Sequence, residues 1–437
     1  MRSRVISLLV GFFFLQVCPA QQKYYPFEVD NYPFINYQKN KISFFKDSSN
    51  FAQVLSKFNR LLFEGNGQLR IVHIGGSHIQ ADVYTHRLRQ RFSEFQNGLS
   101  GSRGFLFPYR VAKTNNPRNY KIKYEGEWDY CKNVKKKADC KLGLSGISII
   151  TQDIYSKVQV TLNNDSSLYY DFNSLKIFHD LDSTTFDINL NGKADIISQN
   201  RNDSLGYTEY IFSDFMDSIT ISFSRIDSSQ TNFTLYGLYF ENNDPGVVYN
   251  AIGVNGARLD SYIECELFES HLSALNPDMI IISIGTNDAY TRRFNQEKYR
   301  TNYYRLLAKI KEAQPNATIL LTVPNDSYLY RRYINRNTEK VKNVIFDISK
   351  NEGYGVWNFY EIMGGLNSSY IWYRTGLMTS DKIHFNRKGY NLKGDLFFAA
   401  FLKAYDNHLV GKQNSGLSLN KTYYSRVKQD ENKKNNY

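Results

Sequence analysis

The chain has 437 residues, enough for two or three domains with substantial cores. Apolar residues make up 42% of it, which excludes an intrinsically disordered chain, and no apolar run reaches the ~18 residues that a membrane helix needs. The formal charge of +12 suits anionic polymers such as cell-wall glycans, acidic polysaccharides or lipid head groups; no nucleic-acid fold motif accompanies it, so nucleic acid is not an expected partner.

Arg2 and Arg4 precede an apolar stretch from Val5 to Val17, and Cys18-Pro19-Ala20 offers a small residue before Gln21. This reads as a secretory signal over residues 1–20, which predicts export to the periplasm or cell envelope. Val17 is bulky for lipoprotein cleavage at Cys18, so simple export is preferred to a lipid anchor. Cys131 and Cys140 flank the polar segment Lys132 to Asp139, where a local disulfide fits an oxidising compartment. Cys265 is left over and reads as a buried thiol on a predicted helix.

A helix is predicted from Ser49 to Phe63, stopped by Gly65-Asn66-Gly67, then a short strand from Leu69 to Ile74 and a helix from Ala81 to Phe95. From Phe105 to Asn243 the helical period disappears. Alternating runs replace it at Tyr120–Trp128, Gly146–Ile150, Lys157–Leu162, Thr185–Leu190, Ser218–Phe223 and Phe233–Phe240, the pattern of an all-β sandwich. Basic residues concentrate in 110–141, ten Lys/Arg against four Asp/Glu, which marks that segment as a place to look for anionic ligands. After Asp244 strands and helices alternate. Strands are predicted at Val247–Asn250, Met279–Ile284, Thr318–Val323 and Val356–Tyr360. Helices are predicted at Leu259–Leu275, Gln296–Ala313, Thr338–Asn351 and Arg387–Tyr405. Such alternation implies a parallel sheet covered on both faces. The expected organisation is a signal (1–20), a first α/β part (21–104), an inserted β-sandwich (105–245), a second α/β part (246–410) and a disordered basic tail (411–437).

Four blocks carry chemistry. Ile71-Val72-His73-Ile74-Gly75-Gly76-Ser77-His78 ends a strand on a tight Gly-Gly turn. Asn250 to Ala257, Gly285-Thr286-Asn287-Asp288 and Asp381-Lys382-Ile383-His384 follow. In open α/β sheets reactive groups gather at the carboxyl ends of strands, so all four can converge. Ser77 is then a nucleophile, His384 its base and Asp381 the acid that fixes the imidazole. The Ser77 N–H, the Gly256 N–H and the Asn287 amide would stabilise an oxyanion, with Gly253 a substitute for Gly256. Each block alone has a plain structural reading: Ser77 as an N-cap, Asp381 as a turn cap, Asn287 and Gly256 as turn residues. His78, Asp82 and His86 fall at helical spacing that hints at a metal, but no further ligands cluster with them and no metal is expected. Asp82 reads instead as support for the turn or helix start. His78, Gln80 and Arg258 lie close enough to the blocks to touch substrate.

Taken in order, the four blocks resemble the SGNH (GDSL-type) hydrolases over about residues 67–100 and 246–408. The resemblance implies a flavodoxin-like three-layer α/β/α domain with a parallel sheet, and it gives Ser77, Gly256, Asn287, Asp381 and His384 the roles above. One departure stands out: the family's Gly-Asp-Ser reads Gly75-Gly76-Ser77 here. The β-rich insertion and the Gly-Val-Asn-Gly-Ala second block resemble the bacterial peptidoglycan O-acetylesterases, which carry a carbohydrate-binding-type module at this place. That resemblance implies removal of acetyl from the C6 hydroxyl of N-acetylmuramic acid, without a cofactor. Two rivals remain, a glycan O-acetyltransferase using the same acyl-enzyme and a non-catalytic surface glycan-binding protein. Nothing in the sequence sets the oligomeric state.

Overall fold

The computed structural model describes residues 30–46, 48–96, 98–135, 140–163 and 167–414. The predicted signal with Cys18 lies outside them, as does the tail beyond Asn414. The final helix, Arg387–Asn414, continues through Gly411 into the start of that tail, where disorder was expected.

A six-stranded sheet forms the centre. Its order is Ile42–Ser43, Gly355–Asn358, Thr318–Val323, Met279–Ser283, Gln68–Gly75, Gly246–Gly253. All pairings are parallel except the edge strand Ile42–Ser43. Leaving that edge aside, the strands, numbered along the chain, lie side by side in the order 2-1-3-4-5, the flavodoxin-like doubly wound arrangement. Both faces are buried, which explains the unbroken apolar runs. Val72 and Ile74 face a core shared with Leu306, Ile310, Val341 and Val344 from helices Gln296–Ala313 and Asn337–Glu352. Leu69 and Ile71 face the other way, onto Phe58, Leu88, Phe397 and Phe401 from Ser49–Glu64, Val83–Phe95 and Arg387–Asn414. The two-residue period of the strand thus divides the core between two helical layers.

The β-rich region follows Val83–Phe95. A seven-stranded antiparallel sheet is built around Phe172–His179 and Phe233–Glu241, and a four-stranded antiparallel sheet holds Lys121–Glu125, Lys157–Thr161, Ser218–Ser224 and Asp187–Asn191. Their apolar residues belong to the same buried cluster as Val72, Ile74 and Ile282. The insertion therefore packs onto one face of the α/β layer rather than hanging from it.

Several boundaries differ from expectation. The predicted Leu259–Leu275 helix breaks into Leu259–Ile263 and Phe268–Leu275. The break pairs with the insertion: Leu267 N–H donates to Leu142 O at 3.0 Å, and Glu266 accepts from Leu142 N–H at 3.1 Å. Cys265 is buried in this break, its Sγ 3.4 Å from Ser261 O, rather than inside a helix. The strand predicted to reach Tyr360 stops at Asn358, whose side chain caps a turn at Phe359–Ile362. The helix expected from Ala81 starts at Val83, because Asp82 adopts a left-handed conformation (φ 49°). Strands at Gly104–Leu106, Asp129–Lys132, Phe172–His179, Ile196–Asn202 and Tyr207–Met216 were not predicted.

Candidate active site

The sheet register decides where the blocks meet. Gly75 lies opposite Gly253 on one neighbouring strand and Ser283 on the other, so three strands end at one level. The next residues along each are Ser77, the turn Asn255–Gly256, and Gly285 to Asn287. This is the switch point between the first and third strands, where such sheets open a crevice.

Ser77 starts a one-turn helix, Ser77–Gln80, after Gly76. Its Oγ lies 2.8 Å from His384 Nε2, and His384 Nδ1 lies 2.8 Å from Asp381 Oδ2. A carboxylate only accepts, so Nδ1 carries the proton and Nε2 presents its lone pair to the hydroxyl. Burial pushes the Asp381 carboxyl up, but hydrogen bonds from the His384 side chain and backbone, Thr379 Oγ1 and Ile383 N–H outweigh it and hold the group well below the usual carboxylate range. Asp381 is therefore ionised and fixed by four donors.

Gly256 sits at φ 87°, a left-handed position that favours glycine. Among the described residues no acceptor engages the N–H of Ser77 or of Gly256. Asn287 Nδ2 donates to Ala257 O at 3.0 Å, beside that turn. A Cβ added to Gly76 would come within 3.2 Å of Asn287 Nδ2 and 3.6 Å of Ala257 O. The glycine that departs from the Gly-Asp-Ser pattern therefore occupies a place where a side chain would crowd the Asn287 amide. Gly256, Asn287, Arg258 and Tyr290 line an open cavity of about 490 Å³, together with Asn133 and Val134 from the insertion. Cys131 and Cys140 are disulfide-bonded, Cα atoms 6.4 Å apart, and bracket the loop that brings Val134 there.

The three expected substrate contacts separate. Arg258 is exposed on the cavity wall, in a bidentate pair with Asp260. Gln80 is buried and does not face the cavity; its Nε2 donates to Thr114 and Asn115, and its Oε1 accepts the Asn255 N–H at 2.7 Å. It positions the turn that carries Gly256. His78 is buried behind His384, ring centroids 5.2 Å apart, with Nδ1 bonded to Tyr390 Oη at 2.9 Å. Burial, with Lys393 and His384 nearby, holds its pKa well below the ordinary imidazole value, so it stays neutral.

His78, Asp82 and His86 diverge rather than forming a ligand set: His86 bonds Ser167, and Asp82 is claimed by Arg89 and Arg103. Asp82 makes no side-chain cap. It supports the turn through buried ion pairs instead, with Arg103 contributed from the segment entering the insertion. Burial raises its carboxyl, but Arg89 and Arg103, then Thr85 and Asn119, bring it down to about 2. Asp82→Asn leaves two buried guanidiniums without their carboxylate. We expect urea denaturation to show a loss of about 3–5 kcal/mol. Because the folded pKa is depressed, the wild-type contribution is full above the unfolded value near ~3.9 and disappears as pH falls toward about 2.

Three supporting residues escaped the sequence reading. Tyr262 Oη donates to Gly75 O and Tyr109 Oη to Gly253 O, each at 2.9 Å, pinning two of the three strand ends. Asp288 accepts the Leu259 N–H at 3.3 Å, and burial pushes its carboxyl up to about 7. Lone tyrosines in a chain with 34 of them carry no local signal.

Residues 217–392 match the GDSL-like lipase/acylhydrolase family. No curated protein matches the chain in sequence. Among solved structures, a peptidoglycan O-acetylesterase superposes with a TM-score of 0.68 at 19% identity, over 84% of this chain and 99% of that one. A GDSL-like lipase from Bacteroides thetaiotaomicron (TM-score 0.27, 21% identity) and an acetyl xylan esterase (TM-score 0.30, 16% identity) each cover 36% of this chain, and 76% and 83% of their own. The first likeness extends the shared fold through the β-rich insertion. Residues 217–392 thus match a GDSL-like lipase/acylhydrolase domain, and the chain as a whole shares the fold of that first solved structure.

Proposed function

We propose that this protein is an exported serine esterase that removes O-acetyl groups from a glycan, with the C6 O-acetyl of N-acetylmuramic acid in peptidoglycan as its substrate. The observation that carries the reading is the unbroken relay Ser77 Oγ–His384 Nε2 and His384 Nδ1–Asp381 Oδ2, both at 2.8 Å. Ser77 Oγ attacks the acetyl carbonyl as its proton passes to His384 Nε2. The Ser77 and Gly256 N–H groups and the Asn287 amide take the oxyanion. His384 then returns the proton to the departing sugar oxygen, leaving acetyl on Ser77. Water, deprotonated by His384, attacks the acyl-enzyme and releases acetate. The mechanism calls for no cofactor. The likeness to a peptidoglycan O-acetylesterase over 84% of the chain and the basic charge support the choice of glycan.

The test is acetate release by the mature protein from O-acetylated peptidoglycan and from an aryl acetate. Release from both is expected. Release from the aryl ester alone would contradict the peptidoglycan assignment, and release from neither would contradict the esterase itself. Asn287→Ala removes one of three oxyanion donors and is expected to lower kcat by about 10²–10³-fold with KM little changed.

A further inference from the structure

Residues beyond the relay form a second feature at the same rim. A hairpin, Tyr328–Leu329 paired with Tyr333–Ile334, turns through Tyr330 and Arg331. Both have left-handed backbones, φ 51° and 63°, a conformation that ordinarily favours glycine or asparagine. Bulky side chains are held there against their conformational preference. Tyr330 and Tyr333 are 48% and 55% exposed.

The hairpin is tied to both sides of the catalytic machinery. Tyr330 N–H donates to Tyr290 Oη at 2.9 Å, and Tyr290 lines the cavity with Asn287 and Gly256. On the other side Lys382, between Asp381 and Ile383, donates from Nζ to Arg331 O at 2.7 Å, and its own carbonyl accepts the Tyr328 N–H. Asn337, just after the hairpin, clamps Ala289 O and Thr291 O. The platform is therefore rigid relative to Asn287 and His384.

Its chemistry is aromatic and cationic. The Arg292 guanidinium lies 5.5 Å from the Tyr330 ring centre and 6.0 Å from that of Tyr333. Arg292 and Arg331 are exposed, and among the described residues neither forms an ion pair with a carboxylate. Tyrosine faces accept the C–H face of a pyranose ring, and a planar guanidinium matches a carboxylate in bidentate fashion. We propose that this hairpin, with Tyr290 and Arg292, is a binding platform for a carboxylate carried by the glycan near its acetylated hydroxyl, so that the enzyme selects acidic glycans. The proposal rests on the esterase reading and names a specificity element for it.

The test is direct binding by full-length Ser77→Ala protein, which holds substrate without turning it over. The probes are O-acetylated peptidoglycan fragments and the same fragments with carboxyls converted to amides. Acidic fragments are expected to bind about tenfold tighter, and adding Arg292→Gln and Arg331→Gln is expected to abolish that preference. Equal affinity for both probes, or a preference that survives the arginine changes, would overturn the platform. With Ser77 retained, the two arginine changes should leave aryl acetate turnover within about twofold. A collapse of that turnover would make the arginines structural and also overturn the assignment. Wild-type failure on the aryl ester would bear on the esterase reading alone, because the binding arms need no turnover.

Discussion

Alanine at position 77 is expected to lower aryl acetate turnover by roughly 10⁵–10⁶-fold, with KM nearly unchanged. The size follows from what remains: the Gly256 and Asn287 donors still polarise a carbonyl, but no group can form the acyl intermediate. The Ser77 hydroxyl contacts only His384 among the described residues, so its removal should shift the thermal midpoint little. A fall in activity with matching loss of fold would point to a structural serine rather than the nucleophile. A fall in activity alone identifies the nucleophile.

Asp381→Asn is expected to cost about 10⁴-fold in kcat, measured on the same ester. The carboxylate accepts from His384 Nδ1 at 2.8 Å through one oxygen and from Thr379, Ile383 and His384 backbone or side-chain donors through the other. An amide that keeps its oxygen on the three donors turns an N–H toward Nδ1, which drives the imidazole to the tautomer with Nε2 protonated, and Ser77 loses its base. The stability consequence has a definite sign. Asp381 is depressed in the fold, so its contribution is present above the ordinary carboxylate pKa of ~3.9 and is lost as pH falls below it. A variant whose acid stability matches wild type, yet whose kcat has collapsed, would separate the tautomer effect from the folding effect.

Much of this was readable from the chain because the information is local. Short apolar runs such as Met279–Ile282, alternating with helices, read as strands of a doubly covered sheet, and the helix Gln296–Ala313 follows its period to the residue. Three of the four blocks were legible because each follows a strand end, and the register brings Gly75, Gly253 and Ser283 level, while Asp381 and His384 lie in the loop before the last helix. What escaped is what only tertiary contact specifies. The break at Glu264–Leu267 exists because Leu142 pairs with it, across more than a hundred residues of sequence. Gln80 lies close enough in sequence to Ser77 to touch substrate but is consumed by Asn115 and Asn255. The Ile196–Asn202 strand is mostly exposed and polar, so it carries no alternation to read. Asp82 gives no hint in sequence that its partners are Arg89 and Arg103.

The central claim is that Ser77 carries the acetyl group between glycan and water. Rapid-quench mass spectrometry of the wild-type protein during aryl acetate turnover tests it most directly. The account predicts an acetyl group on the peptide containing Ser77, accumulating when Asp381→Asn or Asn287→Ala slows its hydrolysis and absent from Ser77→Ala. Sustained turnover with acetyl on another residue, or turnover that survives in Ser77→Ala, would contradict it.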